Sequence, residues 1–353
     1  MATDARLSQA KLLGKWGELG DELKAFGVVL AIALILPGAA TAAQNVGFQR
    51  VTVPDPEGKP LDVGIWYPSE SEATAAPLGM FTQVVATDGP VSGNRLPLIL
   101  ISHGTGGWLG SHYDTALALA RAGFVAAAVT HTGDSFADQS YAGNRIDLTD
   151  RPRQIHVLLD YVLNTWKDHA HLDPERIGMF GFSLGGFTTL VEIGGTPDLS
   201  RMAQLCKTRP EAPECVFVKQ RHGDQLEVPA KKPAWRHDAQ IKAAVVAAPA
   251  VGFLFEGGGL KQVTVPVQLW EALKDYQAPN EWNSEVVRRE LPKPPDEHVV
   301  PGLGHFVFLA PCSPALRKAS PAICIDPPEF DREEFHGSFN RTIVTFFLTQ
   351  LKS

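Results

Sequence analysis

The sequence predicts an α/β fold with a mostly parallel central sheet flanked by helices, and three observations predict it. Short, almost wholly apolar runs recur along the chain, as expected of strands covered on both faces. Between them lie stretches whose apolar residues are spaced three and four apart, the helical period. At one strand-to-helix junction, "IGMFGFSLGGFTTL" (177–190), a single serine, Ser183, stands among Gly181, Gly185 and Gly186.

The first 43 residues read as a secretory signal peptide with an extended n-region. "AFGVVLAIALIL" (25–36) is a short uncharged apolar run, Pro37-Gly38 breaks it, and "AATAAQ" offers small residues for cleavage near Ala42 or Ala43. The preceding segment is unusual because its acids (Asp4, Glu18, Asp21, Glu22) match its bases (Arg6, Lys11, Lys15, Lys24) in number. An uncleaved anchor is the alternative, but the run falls short of the ~20 residues a spanning helix needs. The mature chain is therefore expected to be periplasmic or secreted, with no integral membrane span.

From residue 44 to 353 one large domain is expected. "VGFQRVTV" and "LDVGIWYP", separated by "PDPEGKP", suggest a hairpin-like start at the sheet edge. "LPLILISHG" is the first buried strand, "HYDTALALARAG" a helix ending at glycine, and "FVAAAVTH" the next strand. "DLTDRPRQIHVLLDYVLNTW" repeats the unit as a helix that Asp150 could cap. "IGMFGF", "IKAAVVAAPA" and "VPVQLW" complete the buried strands, so the order is that of a parallel sheet. The segment 196–240 is too long for an ordinary connection, and is expected to be an inserted cap or flap over the carboxyl edge of the sheet.

Composition narrows the function. With 44% hydrophobic and 20% charged residues in 353, the chain can bury a large core. A formal net charge of -7 without a sizeable basic cluster argues against nucleic acid as a partner. The four cysteines form two close pairs, Cys206/Cys215 and Cys312/Cys324, an even count that suits two local disulfides in an exported protein; buried free thiols are the alternative.

Chemistry concentrates at Ser183. A glycine-flanked serine between a strand and a helix is a nucleophile elbow, whose turn is so tight that residues 181 and 185 must be small. A serine hydroxyl needs a base, and the base needs an acid to hold its tautomer. His305, in "VVPGLGHFVFL", lies on a loop after an apolar run and is the expected base; His298 belongs to the preceding strand, and His222 and His237 to the inserted segment. In "VPVQLWEALKDYQAP" two acids compete: Glu271 directly at the strand end, and Asp275 four residues on, with room for a turn back to the histidine. Asp275 is the better candidate. The amide of Leu184, aided by the helix dipole, and the amide of Thr105 in "HGTGGWLG" are the expected oxyanion donors. Trp108 and Trp270 stand where aromatic walls would bind an apolar ester; a place in the core is the alternative for each.

The stretches "GIWYPSE", "LILISHGTGG", "ALARAGFVAAAVTHTGD", "LDPERIGMFGFSLGG" and "PGLGHFVFLAPC" resemble the α/β-hydrolase superfamily from about residue 49 to 351. Within it they resemble the exported bacterial branch of predicted dienelactone hydrolases, similar to platelet-activating factor acetylhydrolases, which His131 and Asp134 of the "H-x-x-D" also suit. The resemblance implies an α/β-hydrolase fold, a Ser183–His305–Asp275 triad and an oxyanion hole at Thr105 and Leu184. Dienelactone hydrolase itself uses cysteine as nucleophile; this elbow holds serine. The expected activity is hydrolysis of carboxylic esters, small or polymeric, through an acyl-serine, with neither metal nor cofactor; "DHAHLD" (168–173) reads as a solvated turn. Lactones or activated C–C bonds of β-diketone type could be cleaved by the same triad. A catalytically inactive binding protein is the reading from another class.

Overall fold

A computed structural model describes residues 45–223 and 234–352. The signal-peptide expectation for residues 1–43, with its cleavage site, lies outside the described residues. The chain forms β1 (Asn45–Val53), β2 (Leu61–Ser69), β3 (Thr74–Leu78), β4 (Phe81–Thr87), β5 (Leu96–Ser102), α1 (Tyr113–Arg121), β6 (Val125–Thr130), α2 (Arg145–Asn164), β7 (Leu172–Phe182) and α3 (Leu184–Glu192). There follow α4 (Ser200–Thr208), α5 (Pro213–His222), β8 (Ile241–Ala247), β9 (Val267–Ala272), α6 (Ser284–Glu290), β10 (Asp296–Val300), α7 (Pro314–Ala319) and α8 (Arg332–Gln350).

The strands lie in one sheet ordered β10-β9-β8-β7-β5-β6-β2-β1-β4-β3. From β10 to β6 every pairing is parallel, while β2 runs antiparallel to both β6 and β1. This is the α/β-hydrolase arrangement. The apolar strands β5 and β6 separate two hydrophobic layers: Leu98, Leu100, Val125 and Val129 pack with Ile155, Leu158 and Phe187, while Ile99, Ile101, Ala126 and Ala128 pack with Leu119, Phe339 and Phe347. Burial on both faces explains why these runs lack alternation.

Register places the functional edge. Ser102 pairs with Gly181, Phe182 with Ala247, Ala247 with Trp270, and Ala272 with Val300. The carboxyl ends of β5, β7, β8, β9 and β10 therefore lie level, and the loops that leave them emerge on one side, where ligands bind in sheets of this kind.

Two expectations need correction. The β1–β2 hairpin is internal to the sheet, because a second hairpin, β3–β4, pairs outside it through β4 on β1. The α2 helix starts at Arg145, capped by the Asn144 side chain, which accepts the Asp147 amide at 3.1 Å; Asp150 does not cap it. Asp150 instead receives Arg153 Nε at 2.6 Å from within the helix. Pro152 thus sits in the interior, giving up one backbone hydrogen bond so that the preceding turns can continue.

The segment 196–240 holds α4 and α5, tied to each other by the Cys206–Cys215 disulfide. The second disulfide, Cys312–Cys324, closes the loop around α7. Among the described residues no helix is long and apolar enough to cross a membrane.

Candidate active site

Ser183 joins β7 to α3 with φ 55° and ψ −119°, a backbone region that side-chain-bearing residues rarely occupy. The turn is held by Ser183 N–H donating to the Ala247 carbonyl at 2.9 Å, while the Ser183 carbonyl accepts from Gly186 N at 2.8 Å and Ala250 N at 3.0 Å. A Cβ on Gly181 would overlap the Gly185 carbonyl, and one on Gly185 would overlap the Ser102 carbonyl. Those overlaps are why the elbow carries glycine at both positions.

His305 opens a short 3₁₀ turn (His305–Phe308) after β10, and its ring leans on Phe182 with centroids 4.8 Å apart. Its Nδ1 bonds Asp275 Oδ2 at 2.6 Å. Asp275 Oδ1 accepts two further donors, the amides of Gln277 at 2.9 Å and Ala278 at 2.7 Å, which set the carboxylate's orientation. With Nδ1 committed to Asp275, Nε2 is the nitrogen left for proton transfer. Asp275 and His305 are both buried, and Ser183 and His305 line the same cavity. Glu271 lies elsewhere: it is within β9, opposite Val299 of β10, where burial raises its carboxyl above the usual range.

The oxyanion candidates flank Ser183. Leu184 is the first residue of α3, and Thr105 lies in the loop after β5. Neither amide is taken by an acceptor among the described residues, whereas the next two in the loop are occupied: Gly106 N by Asp134 Oδ1 at 2.8 Å, and Gly107 N by the Gly104 carbonyl at 3.0 Å. The loop also touches the elbow, for a Cβ on Gly104 would lie 3.0 Å from the Ser183 Cβ.

The cavity has a volume of about 960 Å³. One wall is Trp108, Phe136 and the β3–β4 tip at Met80; a second is Met202, Phe217 and Val218 of α4 and α5; a third is Leu309, Leu316 and Ile323 around α7. Trp108 is thus placed on the cavity. Trp270 is not: it is core, stacked on His298 at 4.2 Å and packed edge-on against Phe339 at 4.8 Å. The tip at Met80 and the α7 wall were not anticipated. The Gly79-Met80 pair, a glycine turn ahead of the alternating start of β4, was the available signal for the first.

No family model and no curated protein sequence matches the chain. Among solved structures, a ferulic acid esterase from Streptomyces cinnamoneus is similar, with a TM-score of 0.59 and 16% sequence identity over 90% of this chain and 92% of that one. At that identity the likeness speaks to architecture, and the architecture it shows is the α/β-hydrolase fold.

Proposed function

We propose that the protein is a serine hydrolase that cleaves carboxylic esters carrying a bulky apolar group. The observation that carries this reading is the meeting, at one cavity, of a serine on a strained elbow with a histidine whose Nδ1 is held by a buried aspartate at 2.6 Å. In this reading Ser183 Oγ attacks the ester carbonyl and His305 Nε2 takes its proton, while Asp275 stabilises the imidazolium. The amides of Thr105 and Leu184 stabilise the tetrahedral oxyanion, with the positive end of the α3 dipole beside them. The protonated histidine then returns the proton to the leaving alcohol. Water, activated by the same histidine, releases the acid.

Size and lining support the substrate class: a cavity of about 960 Å³ walled by aromatic and aliphatic side chains rewards burial of a large apolar acyl or alcohol group. The similar solved structure is that of a ferulic acid esterase, which agrees in reaction class. The two disulfides suit a periplasmic or secreted protein, and the branch of predicted dienelactone hydrolases remains the proposed relationship within the superfamily.

The test is a panel of p-nitrophenyl esters of increasing acyl length, run beside lactones and β-diketones. Ester turnover rising with acyl size, and falling by a factor on the order of 10⁴ or more in Ser183→Ala, is the expected result. Appreciable ester turnover by Ser183→Ala would refute it.

A further inference from the structure

Behind the oxyanion loop lies a fully buried cluster of charge that the triad does not use. Arg151 of α2 and Asp134 of the β6–α2 loop are essentially inaccessible, with Arg151 Nε 3.4 Å from Asp134 Oδ2, and Asp147, one turn before Arg151, places Oδ1 3.6 Å from the same nitrogen. Burying an arginine with two carboxylates is expensive, and a hydrophobic replacement is often as stable. The fold would not need this cluster for stability alone.

Its contacts converge on three successive peptide units of the loop, the one before Gly104 and the two that flank Thr105. The guanidinium Nη2 donates to the His103 carbonyl at 2.7 Å and reaches the Gly104 carbonyl at 3.5 Å. That Gly104 oxygen also accepts from His103 Nδ1 at 2.6 Å and from Gly107 N at 3.0 Å. The imidazole has one possible tautomer, since its Nε2 accepts the His131 amide at 3.0 Å; burial and the Arg151 charge keep it neutral, far below its ordinary pKa. On the other side of Thr105, Asp134 Oδ1 takes the Gly106 amide at 2.8 Å. Because a trans peptide points its C=O and N–H in opposite directions, fixing the Gly104 oxygen toward Arg151 and His103 turns the Thr105 N–H the other way. Gly104 itself abuts the elbow, since a Cβ on it would lie 3.0 Å from the Ser183 Cβ, so the peptide whose N–H is turned this way lies beside the serine.

We infer that Arg151 and Asp134 are positioning residues for the reaction: together they lock the peptides on either side of Thr105 so that its amide is aimed at the developing oxyanion before substrate arrives. The inference rests on the proposed acyl-serine reading with Thr105 as an oxyanion donor. Preorganisation of this kind acts on the transition state and leaves ground-state binding nearly untouched. Asp147 is the third member of the cluster: burial first, and then the Asp134 charge, raise its carboxyl well above the ordinary range.

The experiment compares Arg151→Met, Arg151→Lys, Asp134→Ala and Asp134→Asn with the wild type on one p-nitrophenyl ester. Sites are counted by exhaustive labelling with a fluorophosphonate, and rates are taken well below each variant's melting temperature. Loss of a whole oxyanion donor costs about 10²–10³ in kcat, so misaiming one should cost about 10- to 100-fold in kcat per labelled site for Arg151→Met and Asp134→Ala, with KM changed less than about threefold. The phosphonylation rate should fall in parallel, since its anionic oxygen uses the same donors. Asp134→Asn, which keeps an acceptor for Gly106 N, should recover most of the loss. Arg151→Lys, which keeps the charge without the fork, should fall between and serves if Arg151→Met does not fold. A lowered melting temperature with kcat per site within twofold of wild type would overturn the inference and leave a purely structural cluster. Turnover surviving Ser183→Ala, or labelling away from Ser183, would instead overturn the underlying reading.

Discussion

At the scale of single residues, the choice of Asp275 as the proposed acid rests on direction. Asp275 stands past the end of β9, where the chain turns and two backbone amides hold one carboxylate oxygen while His305 holds the other. Glu271, four residues earlier, is a strand residue and cannot turn toward the histidine loop. In Asp275→Asn the amide nitrogen facing Nδ1 would force the other tautomer, so kcat should fall by about 10⁴, while Glu271→Gln should cost less than tenfold. Steady-state rates of both variants on one ester check this, and a larger loss for Glu271→Gln would move the acid. Gly181 offers a second test. A methyl there has nowhere to go but into the Gly185 carbonyl, so Gly181→Ala should reduce both folded yield and activity, measurable by melting and by phosphonate labelling.

At the scale of elements, the cavity is built from pieces that the sheet does not contain. The α4–α5 pair is closed by Cys206–Cys215 and is moored to the segment after β9 at several points. Glu214 accepts from Asn283 Nδ2 at 2.8 Å and from Trp282 Nε1 at 3.0 Å, while Arg209 lies over the Trp282 ring at 5.1 Å and pairs with Glu281 at 2.7 Å. A short disulfide loop of this kind removes conformational freedom worth about 2–3 kcal/mol, here from a segment lining the cavity beside Ser183. Replacing Cys206 and Cys215 together with alanine should therefore lower kcat/KM for long-chain esters several-fold more than for the acetyl ester. The ratio of the two across the variant and the wild type is the measurement. An equal loss on both would place the segment in the catalytic scaffold and not in the wall.

At the scale of the whole molecule, buried histidines tie stability to pH. His103, His112 and His131 are each held below their ordinary pKa mainly by burial, His112 down to about 4. The unfolded chain binds their protons near pH 6.5 and the folded chain does not, so stability is complete above about pH 6.5 and is lost as pH falls below it. For His112 the loss by pH 4 is on the order of 3 kcal/mol. Glu192 and Glu214, whose carboxyls burial raises, act in the opposite sense as pH rises through the carboxylate range, so the histidine contribution is best isolated by substitution. The His112 ring packs on Phe180 and Phe182 at 5.0 and 5.3 Å, and its backbone contact with Phe308 is the weakest of the influences on it. His112→Phe should leave stability at pH 7 nearly unchanged and flatten its decline between pH 6.5 and 4. Urea unfolding across that range measures both, and an unchanged slope would contradict the burial argument.

What the sequence by itself determined is what short-range sterics dictate. The parallel strands are legible because apolar runs without alternation tolerate only a doubly covered place, and the elbow is legible because Gly181 and Gly185 answer a clash inside one turn. The long insertion was legible from length alone. The β3–β4 hairpin escaped because its short strands mix small, polar and proline residues, and its place beyond β1 depends on a pairing 39 residues apart that no local pattern encodes. The α2 start escaped because Pro152 reads as a helix boundary, and only the burial of Asp147 and Arg151 on the turns around it shows why the helix extends back to Asn144. The sequence favoured Asp275 over Glu271 by the room its loop leaves, whereas tertiary structure alone decided that Trp108 faces the cavity while Trp270 fills the core, and that Arg151 and Asp134 grip the loop before the elbow. Trp270 and Arg151 point from elements packed on both sides, where the one-dimensional pattern carries no mark of direction, and Asp275, Trp108 and Asp134 stand on loops whose course is set by contacts distant in sequence.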